Sequence, residues 1–151
     1  MENANANANA NGRGPIPAEL VFVAYRDPVG EGLRFGPDDP YGMECLVPVV
    51  GPSSYLMWVK IAGQVAATDG PVRFDVVDLF ASIGLGSNTG RNSAGARTLA
   101  RMASFAMIVA TANPSVLAVR TEMPPLAVRQ LSRLTESARR YHYQRIARAR
   151  T

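Results

Sequence analysis

Residues 72–106 read VRFDVVDLFASIGLGSNTGRNSAGARTLARMASFA, and the punctuation of this stretch decides the fold. Val72-Arg73-Phe74 predicts a short strand that runs straight into a helix over about 76–83. Asp75 stands at the capping position of that helix, and Asp78, three residues on, favours its positive end. Phe74 and Leu79 occupy the two positions of a hydrophobic staple, while Val76, Leu79, Phe80 and Ile83 recur at helical spacing. Gly84 falls where a helix end wants a left-handed residue. After the turn from Gly84 to Gly90, Asn92 or Ser93 can cap a second helix over about 93–106. Ala96, Leu99, Ala103 and Ala106 are its expected buried seam. Ala94, Arg97, Thr98, Arg101 and Ser104 make its expected exposed face.

Upstream, Tyr55, Trp58, Val59, Ala62, Val65 and Ala66 recur at helical spacing and predict a core-packed helix over 53–69. Ser53 or Ser54 caps it, and Gly70-Pro71 stops it. Downstream, Met107 to Thr111 and Val116 to Thr121 are β-type runs joined by Ala112-Asn113-Pro114-Ser115, which predicts a hairpin. Pro124-Pro125 breaks the chain before two helices, about 126–133 and 136–149, the second capped by Thr135. Near the start, Leu20 to Tyr25 is β-branched and aromatic and reads as a strand. Leu33-Arg34-Phe35 and Met43 to Val50, with Pro48 at an edge or end, complete an expected small β meander. Met1 to Gly14 alternates Asn with Ala, offers nothing to bury, and reads as a disordered tail.

The chain has 151 residues, 47% hydrophobic and 19% charged, which are globular values and exclude wholesale disorder. No apolar run approaches the roughly 18 residues of a bilayer span, and the polar first residues lack the apolar stretch of a signal peptide. A cytoplasmic protein without membrane contact is expected. One cysteine, Cys45, and one histidine, His142, offer neither an internal disulfide nor a zinc cluster, so no metal or other cofactor is expected. The net charge of +4 conceals a division. Residues 1–90 hold five basic and ten acidic side chains, a balance of −5; residues 91–151 hold eleven arginines and two glutamates, a balance of +9. Such asymmetry points the second half at a polyanion.

The glycine-rich turn does not meet the nucleotide-binding patterns. A P-loop ending at Gly90 needs glycine where Leu85 stands and lysine where Arg91 stands. The dinucleotide fingerprint beginning at Gly84 meets Thr89 in place of its third glycine. Both also need a strand before the loop, where a helix is expected. His142 lies in a basic helix with no Ser or Cys nucleophile nearby, Asp38 and Asp39 sit in a turn, and Asp75 and Asp78 are accounted for by the helix start. No catalytic residue is assigned, and the chain is expected not to be an enzyme.

The order helix, strand, helix, turn, helix, hairpin resembles the H1-S1-H2-H3-S2-wing-S3 order of the winged helix-turn-helix superfamily, over roughly 53–123. Gly90-Arg91-Asn92-Ser93 followed by Arg97-Thr98-Leu99-Ala100-Arg101 is also similar to small uncharacterised winged-helix-like proteins of actinobacteria and their phages. With the resemblance over 53–123 placed among the other elements, the chain reads as an α+β fold in four parts. These are an Asn/Ala tail (1–17), a small β subdomain (18–52), a winged helix-turn-helix core (53–123) and basic C-terminal helices (124–151). The resemblance implies that the 93–106 helix enters the major groove of double-stranded DNA, with 112–115 as the wing tip. Arg97, Thr98 and Arg101 would then read or position the DNA, Arg91, Asn92 and Ser93 would hold phosphate at the helix start, and Arg120 would lie near the wing. Arginines from Arg129 to Arg150 would add phosphate contacts. The seven-residue inter-helix turn is longer than in a tight helix-turn-helix, and the wing tip carries no cation. The implied function is a DNA-binding transcriptional regulator or accessory factor of a bacterial or phage genome. The alternative is a protein–protein adaptor or inhibitor that uses the acidic N-terminal meander, which a minimal DNA reader does not need, or the basic C-terminal helices to grip a host factor or a second copy of itself.

Overall fold

A computed structural model describes residues 16–25 and 32–150. Of the expected tail at 1–17, all but Ile16 and Pro17 therefore lies outside the described residues, as does the turn at Asp27-Pro28. The fold is mixed α+β. Strands β1 (Glu19–Tyr25), β2 (Val72–Asp75), β3 (Ile108–Ala110) and β4 (Val116–Arg120) form one sheet in the order β2-β1-β4-β3. Helix α1 (Val47–Val50) is entered through a π-helical turn at Gly42–Leu46. It is followed by α2 (Pro52–Ala67), α3 (Val76–Ser82), α4 (Ala94–Ser104), a 3₁₀ turn (Val128–Arg133) and α5 (Glu136–Ala149).

The punctuation read in residues 72–106 is realised. Asp75 Oδ1 accepts the Asp78 N–H at 2.9 Å, and Ser93 Oγ accepts that of Ala96 at 3.2 Å. Gly84 has φ 82°, with its N–H on the Ala81 carbonyl at 3.0 Å and the Leu85 N–H on Phe80 at 2.9 Å. That pair of bonds is a Schellman stop. The staple residues Phe74 and Leu79 are both buried. β3 and β4 pair antiparallel as the expected hairpin.

The β meander expected at 18–52 is not formed. β1 is a strand, but it runs between β2, to which it is antiparallel, and β4, to which it is parallel. Phe35 makes only a single bridge, to Met123, and Met43 to Val50 is helical instead of extended. The reason is periodicity: Gly42, Cys45, Leu46, Val49 and Val50 are all buried, at the i, i+3, i+4, i+7, i+8 spacing of one helical face. Pro48 falls in the first turn of α1, where a missing N–H is no loss. At Gly42 a side chain is excluded, because a Cβ would stand 2.6 Å from Tyr55 Cε2.

α2 packs against β1, β4 and α4. Leu20 and Phe22 from β1, Leu117 and Val119 from β4, and Trp58 and Ile61 from α2 are buried in one continuous core. The Trp58 indole N–H donates to the Arg120 carbonyl at 2.7 Å, fixing the helix to the end of β4.

The segment before α1 is clamped by α5. Arg145 makes two bonds to the Asp39 carboxylate, 2.7 and 2.9 Å, and its guanidinium lies 5.0 Å from the centre of the Phe35 ring. Phe35 stacks on Tyr41 at 3.8 Å. The Tyr41 hydroxyl accepts the Leu126 N–H at 3.0 Å and lies 2.7 Å from His142 Nδ1, so one hydrogen bond joins the two side chains. Burial lowers the His142 pKa below its ordinary 6.5. A lowered folded-state value means that the unfolded chain takes up the proton more readily. The stability that neutral His142 supplies is thus complete above about 6.5 and is lost as pH falls from there through the folded-state value. The Arg145 hydrogen bond holds Asp39 below its ordinary 3.8, so a second loss begins only in more acid solution. Unfolding free energy measured against pH is therefore expected to begin falling below about 6.5, with a further contribution to the loss setting in below about 3.8. His142→Gln should remove the earlier part of this loss, since His142 is the only histidine. An earlier part that survives unchanged in that variant contradicts the assignment.

Candidate nucleic-acid interface

α4 carries the candidate site, and its orientation is set from below. Ala96, Leu99 and Met102 are buried, and Gly95 lies flat on the Phe80 ring, where a Cβ would overlap Cγ, Cδ2 and Cε2. This close approach seats the first turn of α4 on α3. Arg97, Arg101 and Ser104 face outward, and Arg91 and Asn92 are exposed just before the helix.

Three of the expected site residues are placed differently from the reading of a free outer face. Thr98 is only 6% exposed, and its hydroxyl donates to the Ala94 carbonyl at 2.8 Å. It lies on the flank of α4 covered by the start of α2, one helical step round from Arg97, so it does not belong to the exposed face. Ser93 is buried, and its hydroxyl is occupied as the helix cap. Arg120 donates from Nε to the Ala106 carbonyl at 2.8 Å, and its guanidinium lies 5.0 Å from the centre of the Tyr25 ring. It braces the sheet rather than reaching the hairpin tip. The tip itself is closed by short-range bonds: Ser115 N–H to Asn113 Oδ1 at 2.9 Å, and the Thr111 hydroxyl to the Val116 carbonyl at 2.7 Å.

The cations divide by partner. Arg73 pairs with Glu19, Arg140 with Glu136 and Arg145 with Asp39, so the α5 arginines do not form one uniform unpaired face. Among the described residues, Arg91, Arg97 and Arg101 meet no carboxylate within ion-pair distance. The Arg101 guanidinium lies 3.5 Å from the Val49 carbonyl and 5.8 Å from the centre of the Phe105 ring. Phe105 in turn borders a cleft of about 420 Å³ lined also by Ser104, Ala106, Arg129 and Arg133. Arginines of α4 and of the 3₁₀ turn thus follow one another past the C-terminal end of α4.

Sequence reasoning missed one part of this surface. Ser53 and Ser54 read as caps of α2, but Gly51, with φ 90°, holds the capping position and Pro52 the first turn. The Gly51-Pro52 pair was the available signal. Both serines instead line a cleft of about 430 Å³ with Arg97 and Arg101.

Among the described residues, no three His, Cys, Asp or Glu side chains converge as a metal site. Cys45 is buried with its thiol on the Ala138 carbonyl at 3.6 Å, and burial pushes its pKa up to about 11, leaving it a poor nucleophile. Among the described residues, no helix is long and apolar enough to cross a membrane. No family model, curated protein or solved structure matches the chain.

Proposed function

We propose that the chain is a double-stranded DNA-binding protein on a winged helix-turn-helix core, with α4 as the recognition helix. The observation that carries this reading is the set of exposed arginines on and before α4, Arg91, Arg97 and Arg101, which meet no carboxylate among the described residues, whereas Arg73, Arg140 and Arg145 are each ion-paired. An exposed ion pair contributes little stability, so leaving these cations unpaired costs the fold almost nothing and keeps them available to phosphate. The order α2, β2, α3, α4, β3, β4 supports the winged-helix assignment. β1 is interposed between β2 and the hairpin, so the three strands of that order do not make a sheet by themselves. Regulation of a bacterial or phage genome is the role this binding would serve.

Thr98 and Arg120 are not part of the proposed contact set, which becomes Arg91, Asn92, Arg97 and Arg101, extended by Arg129 and Arg133. The five arginines give an expected log–log salt slope of about −4 to −5 for duplex binding. Arg97→Ala/Arg101→Ala should make it shallower by about 2 and weaken low-salt affinity at least tenfold. Titration of parent and variant with a pool of duplex sequences, at several salt concentrations, checks both numbers. A parent that binds no duplex at low salt sinks the proposal. The adaptor reading drew on an N-terminal region that a minimal DNA reader does not need. That region now has a structural task, since β1 is central in the sheet and Tyr41 and Leu46 are core.

A further inference from the structure

The cleft between the start of α2 and the outer flank of α4 combines four features. α2 is 16 residues long, and its N-terminus opens into the cleft with no side chain capping it. Pro52 has no N–H to offer, which leaves the amides of Ser53 and Ser54 as the first donors; among the described residues neither has a partner. The Ser54 side chain is a second and independent observation. It is 1% exposed, lines the cleft, and its hydroxyl makes no hydrogen bond to any described residue. Among the described residues no fully buried side-chain N or O atom lacks a partner, so this unbonded hydroxyl still reaches solvent at the cleft, where it can meet a group from outside. Arg97 and Arg101 border the same cleft, Arg101 with its guanidinium against Gly51, the cap residue itself.

Electrostatics decides what that group is. The N-terminus of a helix carries about half a positive charge, and two arginines beside it are repelled by it. Among the described residues no carboxylate lines the cleft, and Arg101 meets the Val49 carbonyl at 3.5 Å. A cation is excluded, and a neutral ligand leaves the strain in place. A tetrahedral oxyanion removes it, accepting from two amides, one hydroxyl and two guanidinium groups at once.

We propose that this cleft is a phosphate-binding site formed by the Ser53 and Ser54 amides, the Ser54 hydroxyl, Arg97 and Arg101. The identity of the phosphate as a DNA backbone group rests on the proposed function; the site itself does not. On that reading Arg97 and Arg101 position the duplex, and base recognition falls to Arg91 and Asn92.

The experiment is amide NMR on the full chain, titrated separately with inorganic phosphate at constant ionic strength and with a short mixed-sequence DNA duplex. Phosphate should produce saturable shifts at Ser53 and Ser54. Ser54→Ala should weaken that binding about fivefold, and Arg97→Gln, an exposed change that leaves the core alone, about tenfold. If the duplex moves the same two amides, the phosphate is a backbone group. If the duplex does not bind while phosphate saturates the site, the cleft serves a free phosphate and the DNA-binding reading fails. Duplex binding that leaves both amides unmoved, with phosphate also silent, overturns the site and spares the DNA-binding reading. Equal phosphate affinity in the parent and both variants overturns the site as well.

Discussion

Gly95→Ala is expected to destabilise the fold by about 3 kcal/mol, although helix propensity argues the other way. Alanine in place of glycine inside a helix contributes about 1 kcal/mol of stability, part of it by restricting the unfolded chain. At Gly95 that gain is outweighed by sterics. The new Cβ would overlap Cγ, Cδ2 and Cε2 of Phe80, whose ring is fully buried. Three ring carbons cannot move aside as a flexible side-chain tip would. α4 must instead lift from α3, which loosens Ala96, Leu99 and Met102 in the core. For a chain of this size the melting temperature should fall by about 5–10 °C. Phe80→Leu added to Gly95→Ala makes room and should recover part of the loss, so the two changes are coupled rather than additive. A Gly95→Ala chain as stable as the parent would show that α4 does not rest on the Phe80 ring. The same substitution is relevant to function, because Gly95 lies in the first turn of α4 and sets how Arg97 and Arg101 are presented.

That contact illustrates what the sequence made legible. Asp75, Gly84 and Ser93 act within a few residues of themselves, so the ends of α3 and α4 followed from local chemistry. Gly95 on Phe80 joins positions 15 apart across a turn, and no local rule announces it. The same distinction accounts for the elements that depart from local expectation. Val47, Val49 and Val50 are β-formers by propensity, and with Pro48 among them they masked a helical period that tertiary burial made decisive. The place of β1 between β2 and β4 depends on pairings across the whole chain, such as Val21 with Arg73 and with Val116. Asp39 and Arg145, 106 residues apart, read locally as a turn residue and as one of the arginines expected to contact phosphate. For the candidate site, charge asymmetry points to the second half of the chain, but periodicity alone does not choose between the flanks of α4. Thr98 falls on the covered flank only because α2 begins there, and the same packing brings Ser54 opposite Arg97 and Arg101.

The larger loss of stability is expected at Trp58, where substitution by alanine should cost about 4–5 kcal/mol. Its side chain is fully buried between α2 and the sheet, so truncation leaves a cavity that the surrounding strands cannot close without losing their pairing. Total stabilities of single domains are about 5–15 kcal/mol, so Trp58→Ala should bring the chain close to unfolding. Two effects are combined in that number, and Trp58→Phe separates them. Phenylalanine keeps most of the apolar burial but has no N–H for the Arg120 carbonyl, which Trp58 meets at 2.7 Å. The expected cost of Trp58→Phe is about 1–3 kcal/mol, most of it from the carbonyl left without its donor. Because Trp58 is the only tryptophan, urea unfolding of both variants has to be followed by far-ultraviolet circular dichroism rather than fluorescence. Equal losses in the two variants would mean that the hydrogen bond to β4, not the filled volume, holds α2 in place. A Trp58→Phe chain as stable as the parent would mean the bond contributes nothing. The ordering Ala worse than Phe worse than parent is what a ring packed under the sheet and tethered at one atom requires. It also bears on the site about one turn away, at the N-terminus of the same helix. If α2 is held mainly by Trp58 and its neighbours, Trp58→Phe should weaken the fold while leaving the Ser53 and Ser54 amides in place, so phosphate affinity at low temperature should match that of the parent.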